Sequence, residues 1–246
     1  MAYRCEAASP AGFVQQLACS YLANGYHYYV VGEIPERKDP RSVDEVIVDR
    51  YGPEMSRFAR ARRKRGGFSN MQYLRYRGFF VLLATGPRGA HPFYDEHSPK
   101  QVRHIREQPI TFSGYSIGYH QGVDRRWHVS VRIHPERYRT LKAFFLELAT
   151  RRSEAELAMA FAKLPFEAYA PVRRQFMALL RAVNDARATA GLSRLGFNVL
   201  RLRRRIVRPF GDEGTGLVAK PRSEDEPTTT ISSSAVLCAE RRAAAQ

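Results

Sequence analysis

The chain has 246 residues, and its 40 lysines and arginines against 24 aspartates and glutamates give a formal net charge of +16 at pH 7. Hydrophobic residues make up 44% of it, enough for a substantial core, but no apolar run approaches the ~20 residues of a transmembrane helix, which excludes the membrane-spanning classes. Three scattered cysteines without Cys-x-x-Cys spacing exclude a disulfide framework and a zinc site. We expect a cytoplasmic protein that needs no cofactor.

The positive charge is concentrated in the first 210 residues. From Gly211 onward six acidic residues stand against four basic ones, so this tail carries about −2 and the preceding chain about +18. An excess of this size favours a polyanionic partner, because each contact between a cationic side chain and a phosphate releases a condensed counterion. The tail is rich in Gly, Ser, Thr, Pro and acidic residues, which predicts disorder over 211–246.

Helical patterns occupy several segments of the first half of the chain. Fourfold apolar spacing over 10–24 ends at Gly25 and predicts an amphipathic helix. A serine cap opens a second helix, which ends at Gly52, and proline at a first-turn position opens a third over 53–65. A short helix is also expected over 99–107.

Five segments have the aromatic, β-branched or alternating composition of strands. They are residues 26–34, 70–77, 79–85, 109–120 and 126–134. Arg77 and Gly78 predict a tight turn between the second and third strands, and the last two strands read as a hairpin.

The remainder of the chain is predominantly helical. Residues 135–152 are predicted to form a helix that begins with a proline and carries an apolar stripe. Two more helices are predicted at 153–163 and 171–190. The order of elements predicts an α+β, ferredoxin-like fold: β-α-β-β-α-β plus one extra strand in a mostly antiparallel sheet, with a helical C-terminal third. We expect three parts: an α+β sheet domain at 1–152, a helical basic extension packed on it at 153–210, and the disordered tail.

The first candidate site is a run of cationic residues on the third predicted helix. Between residues 54 and 77 eight basic residues stand against one acid, Glu54, so the helix cannot balance its charge with internal ion pairs. A bound polyanion would offset the crowding, whereas the alternative is a solvated helix face. The predicted phosphate contacts are Arg57, Arg60, Arg62, Arg63, Lys64 and Arg65.

The strand that follows adds aromatic residues to this basic region. Tyr73, Arg75 and Arg77 alternate onto one face, where tyrosine and arginine could stack on bases or contact the backbone. The alternative is a tyrosine packed at the edge of the core.

Two strand segments resemble those of a known RNA-binding family. "RGFFVLL" (77–83) and "YYVVGEI" (28–34) resemble the two conserved strand motifs of RNA-recognition motifs, which lie on adjacent strands of a ferredoxin-like sheet. Phe80 stands where that family has a small residue, and the second aromatic of the longer motif is missing. The resemblance therefore serves here as an analogy of fold.

A second basic cluster lies shortly before the predicted disordered tail. Arg201, Arg203, Arg204 and Arg205 occur with no acidic residue nearby in the sequence, which favours a second phosphate patch or, alternatively, a solvated rim.

Catalytic candidates are few. His27 on the first strand could act as a general acid or base, and Tyr138 with Lys142 one helical turn later has the spacing of a tyrosine nucleophile. Tyr138 also aligns with Leu141 and Phe145 on an apolar stripe, which favours a core role. No His-apolar-His triplet, phosphate-binding glycine loop or dinucleotide fingerprint is present, and no metal site is expected.

These patterns predict a basic nucleic-acid-binding protein. RNA or single-stranded DNA is favoured over duplex DNA, because aromatic residues lie beside the arginines and no helix-turn-helix or zinc finger is evident. One alternative is a nuclease or strand transferase of a mobile or defence element. Another is a structural component of a ribonucleoprotein assembly, with protein partners in that complex.

Overall fold

The computed structural model describes residues 3–86 and 91–211. In these ranges the protein is α+β, with two antiparallel sheets of four and three strands and seven α-helices. They form two compact units. Unit 1 comprises the residues up to Gln108 together with the segment that begins at Arg208. Unit 2 comprises Pro109–Val207. The sequence predicts a boundary after residue 152, and the predicted tail, from residue 212 onward, lies outside the described residues.

The described residues of unit 1 form four α-helices and a four-stranded sheet. The helices are α1 (Pro10–Gln15), α2 (Pro40–Tyr51), α3 (Arg57–Arg65) and α4 (Pro92–Glu96). The strands are β1 (Tyr28–Glu33), β2 (Met71–Tyr76), β3 (Phe79–Ala84) and β4 (Arg103–His104). The chain continues from α1 through a wider π-helical turn and a 3-10 turn to Gly25, whose φ of 94° ends the helical segment.

The sheet of unit 1 has the order β2-β3-β1-β4, and each neighbouring pair is antiparallel. Arg77, with a φ of 52°, and Gly78 make the predicted tight turn between β2 and β3. The prediction of a helix over 99–107 is wrong, because Arg103 and His104 instead pair with Tyr29 and Tyr28 as a short edge strand.

Two helix starts differ from the sequence prediction. Asp39, not Ser42, caps α2, because its carboxylate accepts hydrogen bonds from the backbone N–H groups of Arg41 and Ser42, both at 3.2 Å. The third helix begins at Arg57 rather than at Pro53, since the Ser56 hydroxyl accepts from Ala59 N–H at 3.1 Å. A capping side chain outweighed proline as a start signal in the second case.

Both faces of the unit 1 sheet are packed. On one face α2 contributes Ile47 and Val48 to a core with Val30 and Leu82. On the other, Phe13 of α1 meets Phe79 of β3, with ring centroids 5.7 Å apart. The sheet therefore lacks the open aromatic face on which RNA-recognition motifs stack bases.

Unit 2 contains a three-stranded meander and three helices. Its elements are β5 (Ile110–Phe112), β6 (Tyr115–Gln121), β7 (Trp127–Ile133), α5 (Pro135–Arg151), α6 (Glu154–Ala162) and α7 (Ala170–Thr189). The expected single sheet is two sheets, because the strands of 110–133 pair only with one another. The hairpin and the last three helices are confirmed.

Packing of α5 and α7 forms the core of unit 2, with α7 also against β7. The buried Arg187 of α7 donates to the carbonyl oxygens of Ala149 and Arg152 at 2.9 and 3.1 Å, so it satisfies two backbone acceptors at the C-terminal end of α5. Among the helices in the described ranges, none combines the length and apolarity needed to cross a bilayer.

Candidate nucleic-acid interface

The helix α3 presents its cations on an exposed face. None of its nine residues is buried, and six of them are arginine or lysine without an acidic residue in the first turn. Arg57, Lys64, Arg62 and Arg65 are exposed, and Arg60 is half-buried. The helix is held to unit 1 by its cap at Ser56 and by the side chain of Asn70, which donates to the Arg60 carbonyl oxygen at 3.0 Å.

A polar cavity of about 440 Å³ lies beside α3. We call it the α3 cavity. Three cations of one helix face line it: Arg57, Arg60 and Lys64. The rest of its lining is Gln16, Ser20, Tyr21, Asn24, Tyr26, Ala61, Asn70, Gln72 and Thr85. No carboxylate is among these described residues, so the cavity is electropositive and suits an anionic group.

The wall opposite α3 is made by buried polar side chains of β2 and its neighbours. Gln72 donates from Nε2 to the Tyr26 hydroxyl at 3.5 Å and accepts at Oε1 from Tyr3 at 3.2 Å. Burial raises the pKa of Tyr26, and the charge of Arg60 partly offsets that shift. Tyr26 therefore stays protonated at neutral pH and can donate or accept a hydrogen bond within the cavity.

Arg63 has a structural role. Its Nε and Nη2 donate to the carbonyl oxygen of Ser69 at 3.3 and 2.9 Å, and its guanidinium lies 5.6 Å from the centre of the Phe68 ring. These contacts hold the Gly66-Gly67 turn that leads from α3 to β2. Arg63 therefore offers less of its charge to a ligand than Arg62 or Arg65 does.

Tyr73 and Arg75 do not belong to the interface. Tyr73 is fully buried, and the side chain of Arg75 is 2% exposed. Both contact Asp44 of α2, which supplies the acidic partner that the local sequence lacks. The expected sheet-face aromatic contact is wrong, because α2 covers the face of β2 on which these residues lie.

Arg77 is exposed but lies away from the α3 cavity. It occupies the turn after β2, whereas Gln72, near the start of that strand, lines the cavity, so five residue steps, roughly 17 Å, separate the two. Its guanidinium lies 5.4 Å from the Tyr76 ring centre.

The second basic cluster lies in unit 2 and is partly neutralised. Its residues 201–205 have no regular secondary structure, and the nearly buried Glu167 holds two of them. Arg201 Nη2 and Arg205 Nε lie 3.4 and 3.5 Å from its carboxylate. Arg204 stacks on the Tyr169 ring at 4.9 Å, and Arg203 is exposed. This cluster retains less available charge than α3.

The two catalytic candidates have different environments, and that of Tyr138 does not activate it as a nucleophile. Burial and the charge of Arg106 lower the pKa of His27, while Tyr138 donates to the carbonyl oxygen of Gln175 at 3.1 Å and its pKa is raised by burial. A nucleophilic tyrosine needs a lowered pKa or an adjacent base. Within 3–86 and 91–211, no group of three or more His, Cys, Asp or Glu residues could hold a metal ion.

A second cavity of about 500 Å³, between α2 and the sheet, is mainly apolar. At its rim Arg50 forms an ion pair with Glu96 at 2.8 Å, and the Tyr51 hydroxyl donates to the same carboxylate at 2.7 Å. Its described lining has two cations, Lys38 and Arg50, against three acidic residues, so it does not attract phosphate as the α3 cavity does.

Sequence reasoning missed Phe58, Asn70 and Gln72. Phe58 is 82% exposed on α3, and its position between arginines in "RFARAR" was the signal that could have identified it. Asn70 and Gln72 have no such signal, because the cavity that they line is assembled from residues between 16 and 85.

No protein-family model matches the chain, and no curated protein matches it in sequence. The interface therefore rests on its own residues.

Proposed function

We propose that the protein binds nucleic acid through α3, with RNA or single-stranded DNA as the ligand. The observation that carries this proposal is the placement of Arg57, Arg60 and Lys64 on one helix face, lining a polar cavity in which none of the described lining residues is a carboxylate. Phosphates of a bound strand would neutralise charges that α3 cannot neutralise itself.

Exposed Phe58 supports a single strand over a duplex. It stands on the same helix as the exposed arginines and is 82% exposed, so its ring is available for stacking. Unpaired bases stack on aromatic side chains at about 1–3 kcal/mol per base, whereas bases in a duplex are already stacked.

We further propose that the sheet of unit 1 is a ferredoxin-like βαββαβ arrangement. Its strand order β2-β3-β1-β4 with antiparallel neighbours supports this reading, and the paired β1 and β3 are the segments that resemble RNA-recognition motifs. The mode of binding would differ from that family, since the cations come from a helix rather than from the sheet face.

The function is tested by fluorescence anisotropy with single-stranded RNA, single-stranded DNA and duplex DNA of equal length across a salt series. We expect tight binding to a single strand and a steep fall of log K with log salt concentration. The variant Arg57→Gln, Arg60→Gln, Lys64→Gln should reduce the salt slope by about 2, since each single-strand phosphate contact contributes about 0.7.

A matched variant controls for net charge. Arg173, Arg174 and Arg181 are exposed arginines of α7, so changing them to glutamine alters the charge equally without touching α3. This control should keep the wild-type slope. Weak, salt-independent binding of all three ligands, or equal losses in both variants, would refute the α3 interface.

The purified protein also allows a test of the two alternative functions, a nuclease or strand transferase and a structural component of a ribonucleoprotein. Cleaved or joined products from labelled single strands, with and without divalent metal, would reveal a nuclease or strand transferase. Nucleic acid that co-purifies with the protein and is needed for its solubility would reveal a structural ribonucleoprotein component.

A further inference from the structure

We propose that the α3 cavity holds one unpaired nucleotide of the bound strand, with its phosphate on the α3 cations and its base against the wall that contains Asn70. This inference rests on the proposed function and specifies its ligand. The volume of about 440 Å³ lies within the range of roughly 300–1,000 Å³ that small-molecule sites occupy.

The two walls of the cavity differ in chemistry. Arg57, Arg60 and Lys64 form a cationic wall on α3, and uncharged amide, hydroxyl and phenol groups form the opposite wall. A nucleotide has the same division, with an anionic phosphate at one end and an uncharged, hydrogen-bonding base at the other. A free inorganic anion would use only the cationic wall.

Asn70 supplies an unused acceptor on the uncharged wall. Its side chain is held by Nδ2, which donates to the Arg60 carbonyl oxygen at 3.0 Å, and its backbone N–H donates to Thr85 Oγ1 at 3.0 Å. The residue is 3% exposed, yet its Oδ1 has no hydrogen-bond partner among the described residues. A buried acceptor without a partner is unfavourable, and a donor from a bound base would satisfy it.

Each of the other amide side chains on this wall has a hydrogen bond, and among the described residues that line the cavity Asn70 is the one with a buried amide oxygen that lacks a partner. Gln72 is bonded to Tyr3 and Tyr26, Asn24 donates to the Ser20 carbonyl oxygen at 2.6 Å, and Gln16 is hydrogen-bonded to Tyr21. The structure therefore assigns base recognition to Asn70 Oδ1, which can accept from a ring N–H or an exocyclic amine.

The recessed position of Asn70 selects against duplexes. A paired base already uses its Watson–Crick edge and would have to leave the stack to enter the cavity, which costs unpairing and unstacking energy. A single strand does not meet this cost. The cavity thus explains a single-strand preference independently of Phe58.

The test compares a single-stranded oligonucleotide with the same backbone made abasic, using the full chain and anisotropy. We expect the wild type to bind the base-bearing strand about tenfold more tightly, within the range that loss of base contacts produces. Asn70→Ala should reduce this ratio several-fold. Because the substitution also removes the Nδ2 hydrogen bond that holds α3, the phosphate contacts change alike for both strands, and the ratio between the two strands is the readout.

Asn184 of α7 provides the matched control. Both its amide nitrogen and its amide oxygen have partners: Nδ2 donates to the Leu195 carbonyl oxygen at 2.9 Å, and Oδ1 accepts from Leu195 N–H at 2.8 Å. Asn184→Ala should retain the wild-type ratio. The abasic ligand keeps the test valid if Asn70→Ala fails to fold, because it removes the base without changing the protein.

The outcomes separate the inference from the proposed function. Equal wild-type affinity for the two strands, or an Asn70→Ala ratio equal to wild type, would overturn the nucleotide cavity while leaving salt-dependent binding intact. Failure to bind either strand would overturn the proposed function itself, and this inference with it.

Discussion

The guanidinium of Arg75 on β2 and the carboxylate of Asp44 on α2 form a buried bidentate ion pair. Arg75 Nε lies 2.8 Å from Oδ1 and Nη2 lies 2.8 Å from Oδ2, and the side chains are 2% and 3% exposed. The Tyr73 hydroxyl donates to the same carboxylate at 2.6 Å, and Glu6 lies 3.0 Å from Nη2. The pair fixes α2 on the sheet and draws the N-terminal segment to the edge of β2.

We expect Asp44→Ala to lower the free energy of unfolding by about 3–5 kcal/mol, because it leaves the Arg75 charge buried without its main partner. Urea denaturation at neutral pH measures this. The exposed pair Arg151–Glu147, at 3.0 Å, is the control, and Glu147→Ala should cost under about 1 kcal/mol. A similar small loss in both variants would mean that water reaches Arg75 after the substitution.

The same ion pair shows what the sequence could predict. Alternation correctly placed Tyr73 and Arg75 on one face of a strand. It could not indicate that α2 covers this face, because Asp44 comes 31 residues before Arg75 and nothing local links them. Charge patterning counts neighbours in sequence, whereas the partner here is a neighbour only in space.

The remaining differences have similar causes. The basic run of α3 was predictable, since it needs only local composition, but the α3 cavity requires Gln16, Asn70 and Thr85 to meet. Strand alternation identified the segments of both sheets but not their pairing, so the meander of unit 2 was assigned to the first sheet. The second basic cluster was predicted without Glu167, which lies 34 residues before Arg201.

We expect substitution of Arg63 to lower the stability of the fold, and substitution of Arg65 to weaken binding without lowering stability. Arg63→Gln removes two hydrogen bonds to the Ser69 carbonyl oxygen, which should cost about 1–3 kcal/mol of unfolding free energy and speed hydrogen exchange over residues 66–70. Arg65→Gln, at an exposed position, should leave stability within about 0.5 kcal/mol and reduce the salt slope of binding. Equal stability of the two variants would argue against the structural role of Arg63.

We expect Glu167 to reduce the positive charge that the second basic cluster offers to a ligand. Glu167→Gln removes the charge that pairs with Arg201 and Arg205, so both guanidinium groups become available to phosphates. If this cluster contacts the strand, the salt slope should steepen by about 1. Glu147→Gln on α5 makes the same change in net charge and should not alter the slope. An unchanged slope in Glu167→Gln would limit the interface to α3.

His91 links the stability of unit 1 to pH. Its Nδ1 accepts from the Phe93 N–H at 3.1 Å and caps α4, and its ring stacks on Tyr51 with centroids 6.5 Å apart. Burial lowers the pKa of His91, and the charge of Arg63 lowers it further. Protonation would also remove the lone pair that forms the cap. Burial likewise lowers the pKa of His27, His97, His104 and His120.

The folded protein should therefore lose stability in mild acid. Because the pKa of His91 is lower in the folded than in the unfolded state, the unfolded chain binds the proton more readily, so the contribution of His91 is full above about pH 6.5 and is lost as the pH falls through the folded value. We expect the urea midpoint to drop between about pH 7.5 and about pH 5.5. His91→Asn keeps a capping acceptor that does not titrate, so it should show a smaller drop than wild type. If the drop were as large in His91→Asn, the pH dependence would belong to the other histidines.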